Sequence, residues 1–491
     1  MINWIKKNKL EFALLVGILF IALFLRLYKI NSFMTFLGDE GRDVRIVRDL
    51  ITQGNLVFIG PQTSVGNMYL GPLYYYMMAP ALFLSGLDPV GPAIMIAILS
   101  VITILFTWYV SKKWFGEKAA IITALLYAVS PVAIIYSRTS WNPNPMPLFS
   151  LLSIWGMYQV WHNKKYFWLP IVGIATAFAL QMHYLALLLL PTLGLFWFLS
   201  LRNLRKEKIT SNIFTKHTLF ALALFLLLMS PLILFDLKHQ GMNLNAFLSL
   251  ISTKSGVFNI SHLLSKPFSV LSLSFSALLS GDEKPKLILT IFLCLTSLVY
   301  LYSNRTKSHI KIITAWFLFT FLGLSLYNQP IYIHYLGIIY PVVFMLSGAF
   351  FSLLLKKGLV VKTLAILFLV TFTINNIRTS PALGNPNSQL KRTEQVVDLI
   401  IKESAGMPFN LGLISKQNYD ESYRFFLENK NSALEKDPNK ITGQLFVICE
   451  DGDECKPQGH SQYQIAVFGI AHIVDKWQVD YINIYRLIHT K

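Results

Sequence analysis

Apolar residues run in long, nearly unbroken stretches from residue 11 to residue 377, separated by short basic clusters. The stretches lie near residues 11–28, 90–111, 119–137, 144–161, 166–183, 184–201, 217–235, 286–303, 311–328, 331–355 and 359–377. Each is close to the ~20 residues that a helix needs to cross a ~30 Å hydrocarbon layer. They predict an all-α polytopic membrane protein with about eleven transmembrane helices. At ~1.5 Å per residue, 166–201 is too long for one crossing, and both its flanks are basic, so a turn is expected near His183 and Tyr184. The run 68–86, "MYLGPLYYYMMAPALFLSG", is long enough to cross but carries a Gly71-Pro72 break, Pro80 and three adjacent tyrosines. It reads as an interfacial or re-entrant segment.

Beyond Ser380 the pattern turns polar and mixed. Periodicity there predicts helices at 389–403 and 421–428 and strands at 409–414, 445–449 and 464–468, a small α/β domain. The expected division is a transmembrane domain over 1–378, with a first external loop at about 29–89, and an external domain over 379–491.

Composition agrees with the membrane reading: 54% of the 491 residues are hydrophobic and only 14% are charged. A formal charge of +18 raises the question of nucleic acid. The basic residues, however, sit in inter-span clusters such as Lys112, Lys113 and Lys118, or Arg202, Arg205, Lys206 and Lys208, which is the signature of membrane orientation. With the amino terminus cytoplasmic, every cluster is cytoplasmic. No nucleic-acid partner is expected, and 12–28 lacks a small-residue cleavage site, as expected of an uncleaved first span. Facing out are 29–89, 137–147, His183 with Tyr184, a long loop at 236–285, 328–335 and everything after Arg378, in a plasma-membrane, multi-pass arrangement. Cys449 and Cys455 flank "EDGDE": an oxidising exterior would let them pair, and two unpaired thiols beside a solvated acidic turn is the equal alternative.

Against this background "FLGDEGRDVRIVRDL", 36–50, is unusually charged. Val44, Val47 and Ile51, with Ile46 and Leu50, keep helical spacing, so 42–53 is predicted as an amphipathic helix lying on the outer membrane surface. Asp39 and Glu40 fall at its amino-terminal end. Asp is a common N-cap, which is the plain reading. A carboxylate favoured by a helix amino terminus can also accept a proton from a bound hydroxyl, which is the chemical one.

An Asp-Glu pair in a long loop after the first span, the aromatic-Pro segment "LGPLYYYMMAP", a span ending "SKKWFGEKAA" and one ending "YAVSPVAIIYSR" together resemble the glycosyltransferase C superfamily. The closer likeness is to its protein O-mannosyltransferase and aminoarabinose transferase branch, glycosyltransferase family 39 and bacterial relatives, over about residues 10–240. "QMHYLALLLLP" and "YIHYLGIIYP" fit the same pattern. The resemblance implies a GT-C fold, a sugar donor on a polyprenyl phosphate, transfer with inversion, and an acid of the first external loop as base. Carried onto this chain, the base is Asp39, with Glu40 beside it.

Transfer from such a donor also requires cations or donors for the departing phosphate. The external candidates are Arg42, Arg45, Arg138, Lys238, His239 and His334; relatives often carry Arg where this chain has His334. Tyr74, Tyr75, Trp141 and His183 are candidate sugar or acceptor contacts, against the commoner roles of interfacial aromatics and helix-end histidines. Asp39, Glu40 and Asp43 offer hard oxygen ligands without a compact metal motif, so no obligatory cofactor is expected, though a divalent ion is compatible with them. Expected partners are the lipid-linked donor, membrane lipids and a lipid, protein or glycan acceptor. A transporter or flippase is the main rival; its usual mid-membrane charges are missing from these spans. A glycan polymerase or ligase shares the donor class and ranks lower.

Overall fold

The computed structural model describes residues 6–63, 68–207, 212–252, 260–281, 287–327, 329–451 and 455–490. The chain forms two compact units. One comprises Met1–Tyr28, Leu56–Pro80 and Pro92–Asn385; the other comprises Lys29–Asn55, Ala81–Gly91 and Pro386–Lys491. The first external loop is therefore divided, and much of it belongs with the C-terminal sheet.

In the first unit every predicted span is helical. The helices are Lys9–Leu27, Val90–Phe115, Glu117–Val129 running into Pro131–Ile135, Met146–Trp161, Trp168–Met182, Leu190–Lys206, Asn212–Lys238, Leu287–Ser303, Ser308–Leu326, Tyr340–Leu354 and Leu359–Arg378. Among the described residues, six helices are long and apolar enough to cross a membrane by length and composition. The expected turn is present: Trp168–Met182 stops at His183, and a 3-10 segment, Tyr184–Leu189, leads into the next helix. Leu73–Leu84 has 12 residues, or ~18 Å, too short to cross and in keeping with the interfacial reading.

Two features hold these helices together. Gly348 lets Tyr340–Leu354 approach Glu117–Val129 so closely that an added Cβ would lie 2.7 Å from the Ala119 carbonyl oxygen. Such small-residue crossings replace the hydrophobic drive that lipid does not supply between helices. Arg26, fully buried, donates to the Ala128 carbonyl (3.0 Å) and to Ser100 Oγ (2.9 Å).

The predicted external loop at 236–285 is corrected. Helices Met242–Ser252 and Ile260–Ser272 occupy it, the latter continuing through a π turn, Leu273–Ala277, to Ser280. Its alternating serines read as polar, but they return hydrogen bonds to their own helix: Ser274 Oγ donates to the Val270 carbonyl at 2.7 Å and Ser280 Oγ to the Ser276 carbonyl at 2.8 Å. The last carbonyls, of Leu278 and Leu279, accept from Ser130 Oγ (2.5 Å) and Asn376 Nδ2 (2.7 Å). With its polar groups satisfied, the segment buries Val270, Phe275, Leu278 and Leu279.

The second unit is an α/β fold. Strands β1 (Asn410–Ile414), β2 (Gln444–Cys449), β3 (Ala471–Val479) and β4 (Ile482–His489) pair in the order β1-β2-β4-β3, with β1 and β2 parallel and the rest antiparallel. Helix Glu421–Asn429 makes the β1–β2 crossover, and Gln389–Glu403 buries Leu390, Thr393, Val396, Val397 and Ile400, one face at helical spacing. The predicted strand at 464–468 is instead a short helix, Tyr463–Phe468, capped by the Gln462 side chain, which accepts from Ile465 N. Cys449 and Cys455 are disulfide-bonded, with Cα atoms 5.9 Å apart.

The charged helix of the first loop, Gly38–Gln53, belongs to this second unit and does not rest its apolar face on the membrane as expected. It packs on Glu421–Asn429, where a Cβ on Gly41 would lie 2.6 Å from the Glu421 carbonyl carbon. Phe36 meets Phe425 and Phe426 edge-on at 6.2 and 5.5 Å, and Val44 and Val47 are buried. Glu40 Oε2 accepts the Leu37 N–H at 3.0 Å, closing the first helical turn.

Gly348→Ala should lower the thermal midpoint of the detergent-solubilised protein, at a cost of about 1–3 kcal/mol. Gly358→Ala, which meets open space, should leave it unchanged; equal midpoints would mean the helices do not cross closely at Gly348. Burial, helped by Asp39 and Asp43 and opposed by the Leu37 N–H, pushes the Glu40 carboxyl up to about 7. The folded state therefore holds this proton more tightly than the unfolded state. The resulting stability, on the order of 3 kcal/mol, is present below the ordinary carboxyl range and lost as pH rises through about 7. Glu40→Gln should flatten the fall in thermal midpoint between pH 5 and pH 8, and parallel slopes in both proteins would remove Glu40 as the source.

Candidate functional site

The acidic candidates gather within the second unit. Asp39 is the second residue of its helix, where unpaired N–H groups favour a negative side chain, and its side chain remains 44% exposed. Asp39 Oδ1 accepts from Arg42 Nη1 (2.9 Å) and from the Tyr419 hydroxyl (2.6 Å). Arg42 also clamps Asp43 Oδ1 through Nε (2.9 Å) and Nη2 (2.7 Å), so one guanidinium bridges two carboxylates. Glu40 beside them is buried and raised in pKa, which suits a neutral supporting group better than an ionised base. Arg45 pairs with Glu421 and lies 3.7 Å from Glu428, while Arg48 reaches Glu428 at 2.6 Å. The arginines of this stretch thus already face carboxylates.

A second group of candidates meets within the first unit, at the two places where a helix yields to a 3-10 turn. His183 Nδ1 accepts the Leu185 N–H at 3.2 Å, which fixes the ring at the break. His334 lies 6.2 Å from His183, 4.5 Å from Trp141 and 4.5 Å from Tyr335, measured between ring centroids. The Tyr184 and Tyr327 hydroxyls hydrogen-bond to each other, and Lys266 Nζ donates to the carbonyls of Tyr327 and Gln329, the latter at 2.8 Å. The result is a cluster of imidazoles, phenols and one ammonium, suited to an anionic or sugar-bearing ligand.

The remaining candidates stand elsewhere. Arg138 is buried and donates to the carbonyls of Leu25 and Tyr28, both at 2.7 Å, at the end of the first span. Lys238 and His239 are exposed, with His239 Nδ1 2.7 Å from the Phe235 carbonyl oxygen. Tyr74 is buried with its hydroxyl 2.7 Å from Ser140 Oγ, and Tyr75 is buried beside it. Among the described residues no three His, Cys, Asp or Glu side chains are gathered for a metal ion. Sequence reasoning missed Lys266, Tyr184, Tyr327, Tyr335 and Tyr419. Lys266 fell in the stretch read as a loop, and Tyr419 lies in a polar turn without periodicity.

Comparison with known proteins adds the family context. Residues 70–235 match the family described as dolichyl-phosphate-mannose-protein mannosyltransferase. The putative mannosyltransferase YkcB of Bacillus subtilis (strain 168) is 24% identical over 157 residues, covering 31% of this chain and 22% of that protein. The chain thus aligns with about a fifth of the length of that relative. The structure of ArnT from Cupriavidus metallidurans bound to undecaprenyl phosphate superposes with a TM-score of 0.60 over 98% of both chains, at 12% identity. The archaeal oligosaccharyltransferase AglB from Archaeoglobus fulgidus, in complex with an inhibitory peptide and a dolichol-phosphate, gives 0.55 over 90% of this chain and 70% of that one, at 13% identity. These likenesses show the fold: the chain is built like ArnT and AglB.

Proposed function

We propose that this chain transfers a sugar from a polyprenyl-phosphate donor to an acceptor hydroxyl on the outer face of the membrane, with inversion at the anomeric carbon. One observation carries the reading: in a fold shared over 98% of the chain with a lipid-phosphate-bound ArnT, the segment after the first span presents Asp39, an accessible carboxylate at a helix amino terminus. Nucleotide sugars stay in the cytoplasm, so an outward-facing transferase needs a donor already carried across on lipid. Asp39 takes the acceptor proton as the oxygen attacks the anomeric carbon. The departing phosphate gains negative charge and calls for fixed donors, a role proposed for Lys266, His334, Lys238 and His239. Trp141, with its ring against His334, is the aromatic proposed for the sugar.

The Cys449–Cys455 disulfide supports an outward C-terminal domain, since such bonds persist in oxidising compartments. The inter-span lysines and arginines support a cytoplasmic amino terminus.

Purified protein given radiolabelled undecaprenyl-phosphate mannose, glucose, galactose or a pentose should release sugar from at least one of them. Asp39→Asn should slow that release about 100-fold or more. Undiminished turnover in the variant would remove Asp39 as base, and no turnover with any donor would remove the transferase reading. Lys402→Cys, at a side chain 80% exposed, should react in intact cells with a membrane-impermeant maleimide. Labelling only after lysis would place the tail inside.

A further inference from the structure

The contacts of Asp39 reach beyond its own helix. The turn that follows β1 brings Asn418 and Tyr419 over the amino terminus of Gly38–Gln53. Asn418 Oδ1 accepts the Gly38 N–H at 2.8 Å, and the Tyr419 ring lies where a Cβ on residue 38 would stand, with Cδ1 2.5 Å from that point. Glycine is therefore required at 38 for the ring to dock. Asn418 is fixed from behind: its Nδ2 donates to Glu450 at 2.8 and 3.1 Å, and Glu450 also accepts from the Tyr423 hydroxyl at 2.7 Å. Glu450 directly follows Cys449 of the disulfide, so the cradle is anchored to the sheet.

The polarity of the Tyr419 hydroxyl follows from its neighbours. Arg42 Nη1 donates to Tyr419 Oη at 3.0 Å, so the phenolic proton points at Asp39 Oδ1, 2.6 Å away. Arg42 donates to the same Oδ1, closing a triangle. Among the described residues Asp39 Oδ2 accepts no hydrogen bond, and the side chain is 44% exposed. One carboxylate oxygen is thus held by two donors while the other stays open.

We propose that Tyr419 is a positioning residue for the base: with Arg42 it pins Asp39 Oδ1 and so presents Oδ2 as the oxygen that takes the acceptor proton. This inference rests on the transferase reading above. The proton passes from the acceptor hydroxyl to Oδ2 as the new glycosidic bond forms and the bond to the lipid phosphate breaks, the phosphate leaving with its electron pair. Tyr419 exchanges no proton; it removes rotamers of Asp39 in which neither oxygen faces the acceptor.

The test uses the full-length protein and the undecaprenyl-phosphate sugar that the wild type turns over. Tyr419→Phe keeps the ring on Gly38 and deletes the donor. It should lower kcat about tenfold, leave KM for the lipid donor within about twofold and leave the thermal midpoint unchanged. Gly38→Ala, which displaces the ring, should reproduce the kcat loss. In an Asp39→Asn background Tyr419→Phe should cost nothing further, because the hydroxyl acts only through that carboxylate. Wild-type kcat in Tyr419→Phe, a faster rate, or an equal loss added to Asp39→Asn would each overturn the inference. If Asp39→Asn is inactive while Tyr419→Phe is normal, the transferase reading survives and only the role of Tyr419 falls. If Asp39→Asn is fully active, or no donor is turned over by the wild type, both fall together.

Discussion

At Gly41 the backbone of the first-loop helix comes so near Glu421 that no side chain larger than hydrogen fits between them. Around that approach, Phe36 enters the Phe425–Phe426 corner, and Arg45 and Arg48 reach Glu421 and Glu428. The Phe36 N–H donates to Gln389 Oε1 at 3.1 Å, and the Ser388 N–H to the Ser32 carbonyl at 2.9 Å. Segments more than 350 residues apart thus share one fold. Because 29–55 and 386–491 are one compact unit, they lie on one side of the membrane, and the chain between them must cross an even number of times. The ten apolar stretches that the sequence places after the first satisfy that parity. The helical segment from Ile260 to Ser280 is long enough to span ~30 Å, and 68–86 contains a helix of only 12 residues. Ala81–Gly91 belongs to the same unit as Lys29–Asn55, so by the same argument 68–86 adds no crossing.

Long apolar runs made the helical spans legible, since helix length and lipid thickness are tied together. The break at His183 was legible for the same reason, without any turn residue to mark it. Residues 260–280 were not, because a hydroxyl that bonds its own helix is polar in a composition and nearly apolar in a bundle. In the tail, β1 and β2 are continuous buried runs and stood out; β3 alternates half-buried and exposed positions, with His472, Lys476 and Gln478 among the exposed ones, and did not. At 463–468 the apolar residues suit a strand, but the Gln462 cap turns them into a helix. Asp39 was visible as part of a charge cluster in a chain poor in charge. Its partner Tyr419 was not, since nothing local distinguishes a tyrosine in a polar turn from one that touches a residue 380 positions away.

The same cluster bears on the electrostatics of anion binding. Arg42 lies between Asp39 and Asp43, so this trio carries a net negative charge, and Arg45 and Arg48 face Glu421, Glu428 and Asp49. Two like charges ~4 Å apart repel by about 4 kcal/mol at the effective dielectric of a protein surface, so a phosphate gains little by approaching such a group. The cations written beside Asp39 in the sequence are thus paired with carboxylates. Among the described residues Lys266 is bonded to main-chain carbonyls rather than to a carboxylate, which is the arrangement the proposed anion-binding role calls for.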